Sequence, residues 1–172
     1  MKRSILLLLL FCEVACFNYS NNTEEIFQKI RQLNQRMEFL YDEGSTGKLS
    51  GFYTDEAMVF GPNDQLRGGP TIKKYWERIV SPVSLSLEIL DLKVVLDSLD
   101  FIQKNIEAKK EIPLEFIDQI SSDANHVFQL TKTTLAYERE DVTFFQEEKI
   151  SLTNWEEQPE GHYRIKAVWL MQ

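Results

Sequence analysis

Two histidines, His126 and His162, are the side chains of this chain that change charge near neutral pH. His126 opens a strand-like run in phase with Phe128 and Leu130, which directs its imidazole toward the apolar side of a sheet. Desolvated there, it can act as a base or as a hydrogen-bond donor to a ligand; the plainer alternative is a hydrogen-bonded histidine at a strand end. His162 falls in a Glu/Gly turn and belongs to solvent. Proton transfer also needs a donor for a developing oxyanion and a carboxylate, for which Tyr41 and either Glu88 or Asp97 are candidates, provided all converge within about 3 Å of one point. Two separated histidines give no zinc spacing, and the scattered carboxylates form no calcium loop. There is no phosphate-cradling glycine loop and no serine elbow, so neither metal nor cofactor is expected.

The aromatic set is richer. Tyr41, Tyr53, Met58, Phe60, Trp76, His126, Phe128 and Trp169 are candidates to line a pocket. Regular spacing of this kind equally suits a closed core, but the polar tips of Tyr and Trp favour a partly open cavity. Arg67 beside Gly68 can neutralise a carboxylate or serve structure alone.

These residues need elements to hold them. Ile26, Ile30, Leu33, Met37, Leu40 and Tyr41 recur at three- and four-residue spacing, predicting a helix with Asn22 as N-cap and Gly44 as stop. A shorter helix follows through Lys48–Tyr53. Ala57–Phe60, the turn Gly61-Pro62-Asn63-Asp64 and Gln65–Arg67 predict a hairpin. Gly68-Gly69-Pro70 opens a helix whose apolar face is Ile72, Tyr75, Trp76, Ile79 and Val80, with Pro82 ending it. Leu85, Leu87 and Ile89 alternate, then Leu90, Leu92, Val94 and Leu96 alternate in the opposite phase, which predicts a bulge or bend. Residues 98–111 are charged and mixed, an inserted excursion. Strands are expected at Leu114–Ile120, Val127–Glu138, Val142–Thr153 and Tyr163–Met171. Helices first and antiparallel strands after give an α+β class, one domain over 23–172, with N-terminal helices packed on a strongly curved antiparallel sheet that forms a cone.

Lys2-Arg3, the apolar run Ile5–Phe11 and the small residues up to Cys16 read as a secretory signal peptide over 1–16, too short for a stable membrane anchor. Its removal takes two cations and one acid, moving the charge from −8 to −9, and takes both cysteines. The sequons Asn18-Tyr19-Ser20 and Asn21-Asn22-Thr23 lie in the polar lead 17–22 and mark Asn18 and Asn21 as glycosylation candidates of an extracellular product. An acidic chain without a basic run argues against nucleic acid as a partner.

Three strings resemble the nuclear-transport-factor-2-like superfamily, which includes ketosteroid isomerases and polyketide-cyclase-like (SnoaL-like) proteins. They are Phe52–Phe60, Leu66–Trp76, and Ile150–Trp155 with its following turn and Tyr163–Lys166. Together they span most of residues 23–171. The resemblance implies a cone-shaped α+β fold that commonly forms homodimers across its sheet and often holds a small apolar molecule. It implies no reaction. The isomerases' carboxylate base precedes the proline of the first hairpin, where this chain has Gly61; their oxyanion-stabilising tyrosine falls at Met37. The expectation is therefore a secreted homodimer that binds a small hydrophobic molecule without catalysis. The rivals are an isomerase, cyclase or dehydratase using His126, Tyr41 and Glu88 or Asp97, and an association module.

Overall fold

The computed structural model describes residues 23–61, 65–79, 81–95, 125–139 and 142–171. The leader, Asn18, Asn21, Asn22, Asp97, the excursion near 98–111 and the strand expected at Leu114–Ile120 lie outside the described residues.

Helix α1 covers residues 23–42. Its stripe of Ile26, Ile30, Met37, Leu40 and Tyr41 is buried, and each such side chain contributes about 1.5–3 kcal/mol on removal from water. Gly44 stops it. At φ +75° the Gly44 N–H reaches the Tyr41 carbonyl at 2.9 Å and the Ser45 N–H reaches Leu40 at 2.8 Å, the paired bonds of a Schellman turn. The short helix that follows is a 3₁₀ segment, Thr46–Phe52, which seats Leu49 in the core.

Strand β1 (Tyr53–Phe60) pairs antiparallel with β2 (Gln65–Arg67), the expected hairpin. Gly68, at φ +81°, turns the chain into α2 (Gly69–Glu77), and its N–H is held by the Ala57 carbonyl at 2.8 Å. Pro70 lies in the first turn of α2, where a missing N–H costs nothing. Ile72 and Trp76 face inward; Tyr75, expected on the same face, is exposed and meets the edge of Trp76 instead.

Four long strands complete the sheet: β3 (Ser81–Val95), β4 (His126–Arg139), β5 (Val142–Glu157) and β6 (Tyr163–Met171). Their order is β2-β1-β6-β5-β4-β3. Helices on a largely antiparallel sheet are the expected class, with one addition: β1 and β6 run parallel. No hairpin joins these two strands, so nothing local sets their direction. Register shifts interrupt β1/β6, β3/β4 twice, β4/β5 and β5/β6, and bulges of this kind bend a sheet. One falls between Ile89 and Asp91, where the phase of the sequence flips. Leu90 is thrown outward, and Leu92 and Val94 rejoin the core.

The sheet has two buried faces. Val59, Leu85, Val127, Leu135, Trp155, Ile165 and Val168 pack with the helices in the main core. Their alternating neighbours Met58, Phe60, Phe128, Leu152 and Ala167 form a second buried cluster on the other face, joined by Trp169.

Helix α1 crosses the first of these faces diagonally. Glu25 is close enough to raise the pKa of Tyr163 on β6, while Tyr41 donates its hydroxyl to the Ala136 carbonyl of β4 at 2.9 Å. Beyond Tyr41, the helix covers the β3 edge. Glu38 accepts the Leu87 N–H at 2.6 Å and Asp42 the Leu85 N–H at 3.1 Å, so two edge amides are withheld from strand pairing. Among the described residues no helix is long and apolar enough to cross a membrane.

Candidate functional site

Beneath the helices, three aromatic side chains form a roof. Tyr41 and Trp76 meet edge to face at 6.4 Å between ring centroids. Burial raises the Tyr53 pKa and the nearby Trp76 indole offsets a little of that rise, yet the Trp76 N–H falls short of hydrogen-bond geometry with any group. Burial pushes the phenols of Tyr41 and Tyr53 well above the ordinary tyrosine range, and that of Tyr163 up to about 12, so all three stay neutral at physiological pH.

Opposite the roof, the middle of the sheet is polar. Gln129, Thr131, Ser151 and Thr153 are buried, with Gln129 paired to Thr153 and Thr131 to Ser151 across β4 and β5. They share the phase of Val127 and Trp155, hence the helix-facing side. The Trp155 indole N–H donates to Gln129 Oε1 at 2.7 Å, and Gln129 Nε2 donates to Thr131 Oγ1 at 2.6 Å. A buried indole needs an acceptor, and this chain of bonds supplies one. From the middle of α1, on the same stripe as Ile30 and Tyr41, Asn34 enters the core with 4% of its surface exposed and no protein partner for Nδ2.

Charge is kept at the margin. On the helix-facing phase of β5, Lys149 and Glu147 pair at 2.7 Å; the hydrogen bond that Lys149 donates to Glu147 raises the lysine pKa. Tyr75 of α2 and the tilted ring pair Tyr137 and Phe145, with centroids 5.2 Å apart, stand nearby. Burial raises the pKa of Tyr75, and the charge of Lys149 partly offsets the rise. Among the described residues no group of three or more His, Cys, Asp or Glu is placed to hold a metal ion.

The eight lining candidates do not share one wall. Tyr41, Tyr53 and Trp76 lie under the helices, whereas Met58, Phe60, Phe128 and Trp169 belong to the cluster on the other face. His126 goes with the second group. It is 1% exposed, 6.4 Å from Phe128, and its Nδ1 lies 2.9 Å from Asn154 Oδ1. That oxygen only accepts, so Nδ1 carries the proton. The phase that directs His126 alongside Phe128 is correct, but it points away from the helices, because both faces of β4 are apolar and the sequence does not say which one they cover.

The acid–base candidates are likewise divided. Glu88 is exposed, paired with Lys132 and in the opposite phase to the core residue Leu87, while Tyr41 spends its hydroxyl on Ala136. Asp97 lies outside the described residues. Arg67 meets the Met58 thioether at 3.8 Å, and His162 lies exposed 3.8 Å from Glu160. Asn34, Gln129, Thr131, Ser151 and Thr153 are not among the sequence candidates. Their signal was there, as polar residues sitting in register with apolar ones.

No family model matches this chain, and no curated protein does. Solved structures do. A nuclear-transport-factor-2-like protein with a cystatin-like fold from Novosphingobium aromaticivorans is 12% identical, with 91% of this chain and 86% of that one covered at a TM-score of 0.51. A putative scytalone dehydratase from the same organism is 13% identical over 87% and 86%, at 0.52. A Catenulispora acidiphila protein in complex with S-DNPA is 12% identical over 86% and 92%, at 0.53. At such identities the likeness concerns architecture: the chain has the nuclear-transport-factor-2-like cone fold, as its three strings implied.

Proposed function

We propose that the protein binds a small hydrophobic molecule between its helices and the polar middle of the sheet, without catalysing a reaction. The observation that carries this reading is the buried row of Gln129, Thr131, Ser151 and Thr153 under an aromatic roof. The Trp155 indole accounts for Gln129 and Thr131 but not for Ser151 and Thr153, and a pocket that is mostly apolar with a few directed polar groups is the usual form of a ligand site. The structural neighbour in complex with S-DNPA supports binding as a use of this architecture. The enzyme alternative needs His126, Tyr41 and a carboxylate together, and they are divided between the two faces of the sheet. Export after removal of 1–16, glycosylation at Asn18 and Asn21, and a homodimeric state are part of the proposal and rest on the leader, the sequons and the resemblance.

Titration of the purified full chain with the neutral dye Nile red tests the binding reading. Saturable uptake near one dye per chain, with quenching of tryptophan fluorescence, is expected. Absence of saturation, together with a crystal structure in which side chains fill the space beneath Tyr41 and Trp76, rejects it.

A further inference from the structure

Resting on that reading, we infer that the molecule held there is uncharged and presents a hydrogen-bond-accepting oxygen, a ketone, quinone or ester carbonyl, to the side-chain amide of Asn34. Every buried polar side chain among the described residues is an amide, a hydroxyl or the His126 imidazole. The charged groups on the helix-facing side stand at its margin: Asp42 beside Tyr41, Glu25 and Glu157 beside Tyr163, and the partly exposed pair Glu147 and Lys149, which satisfy one another at 2.7 Å. A carboxylate or ammonium brought under the helices loses its hydration and meets only buried amides and hydroxyls in exchange.

The acceptor follows from what the pocket leaves unused. Gln129 has its carbonyl taken by Trp155 and its amide given to Thr131. Among the buried groups without a protein partner, Asn34 Nδ2 and the Trp76 indole N–H are donors on this side, while a third donor, Asn154 Nδ2, lies on the outer face with Phe128. Tyr163 and Thr54 have unpartnered hydroxyls as well, which give or take equally and set no preference. Asn34 is also the right group by position. It is midway along α1, between the end near Tyr163 and the end bonded at Ala136, and so above the middle of the strands. In the free protein a water can serve its N–H₂. A carbonyl displacing that water restores the bond and brings an apolar body with it.

Calorimetric titration of the full chain with two matched sets tests this: 9-fluorenone, fluorene and fluorene-9-carboxylate, and the smaller 1-indanone, indane and indane-1-carboxylate. In at least one set the ketone is expected to bind about tenfold more tightly than its hydrocarbon, with the carboxylate weakest. In Asn34→Leu the ketone-to-hydrocarbon ratio falls to about one, while thermal stability holds or rises because the leftover donor is gone. Asn34→Ala, checked by its melting curve, serves if the leucine variant does not fold. Equal affinity of ketone and hydrocarbon in the unmodified protein overturns the inference, as does a preferred carboxylate or a ratio that survives loss of Asn34. Nile red saturating while all six compounds fail overturns it alone; failure of Nile red and all six removes the binding reading beneath it.

Discussion

Burying Trp155 obliges the protein to find an acceptor for an indole N–H, and Gln129 provides it while its own amide is spent on Thr131. The two bonds lock the direction of the glutamine, so the belt is a fixed feature of the wall. Gln129→Leu keeps the volume and removes both bonds, stranding the indole N–H in a dry site. A loss of about 1–3 kcal/mol is expected, read as a lower urea midpoint at unchanged slope. Replacing Trp155 by Phe in the same background should recover part of it, since the orphan is then gone; simple additivity of the two substitutions would show that the bond has little weight. At this scale the sequence was least legible. Gln129 and Thr131 look like exposed strand residues, because alternation marks two faces without naming which one the helices cover. The same ambiguity set His126 beside Phe128 without saying that this face looks away from the helices. Asn34 was hidden differently: it stands on the helical stripe but reads as an interruption of it.

Elements were more legible, because their signals are local. The Schellman turn at Gly44, the proline-led start of α2 and the Ala57–Arg67 hairpin each follow from residues within a few positions of one another. The bulge in β3 could be read for the same reason: a pleated strand that shows apolar residues at 85, 87 and 89 and again at 92 and 94 has one residue too many. That residue is Leu90, 47% exposed, and its side chain takes no part in the core. A residue surplus to the pairing can therefore be changed or removed at little cost. Leu90→Ser changes stability by no more than about 0.5 kcal/mol, as exposed positions usually do. Deletion of Leu90 removes the surplus residue and leaves Leu92 and Val94 facing the helices, so it too should be mild, whereas deletion of Ser86, an exposed residue in regular pairing with Thr134, breaks the alternation and turns Leu85 or the residues beyond it outward, losing the burial of at least one side chain at about 1.5–3 kcal/mol. Chemical denaturation of the variants distinguishes these outcomes; a Leu90 deletion as costly as the Ser86 deletion would mean that the register shift is not what holds the phase. The parallel pairing of β1 with β6 had no local signal, since those strands meet only when the whole chain is folded.

At the scale of the whole molecule, one sheet carries two cores, and the binding reading concerns only one of them. Met58, Phe60, Phe128, Leu152 and Ala167 are as well buried as the residues beneath the helices, yet Val59, Val127 and Val168, which alternate with them, face the other way. Phe128 separates the two roles. It is 2% exposed, so Phe128→Ala should cost about 3–5 kcal/mol, as large-to-small changes in a packed core do. Its ring, however, is screened from Asn34, Tyr41 and Trp76 by the backbone of β4. At a temperature where the variant remains folded, its affinity for Nile red should stay within about threefold of the unmodified protein, whereas Trp76→Ala, which opens the roof, should lower it by tenfold or more, the ordinary effect of removing a central aromatic anchor. A Phe128 variant that folds and has lost the dye, beside a Trp76 variant that has kept it, would place the ligand in the outer cluster, and the polar belt would then be a feature of packing.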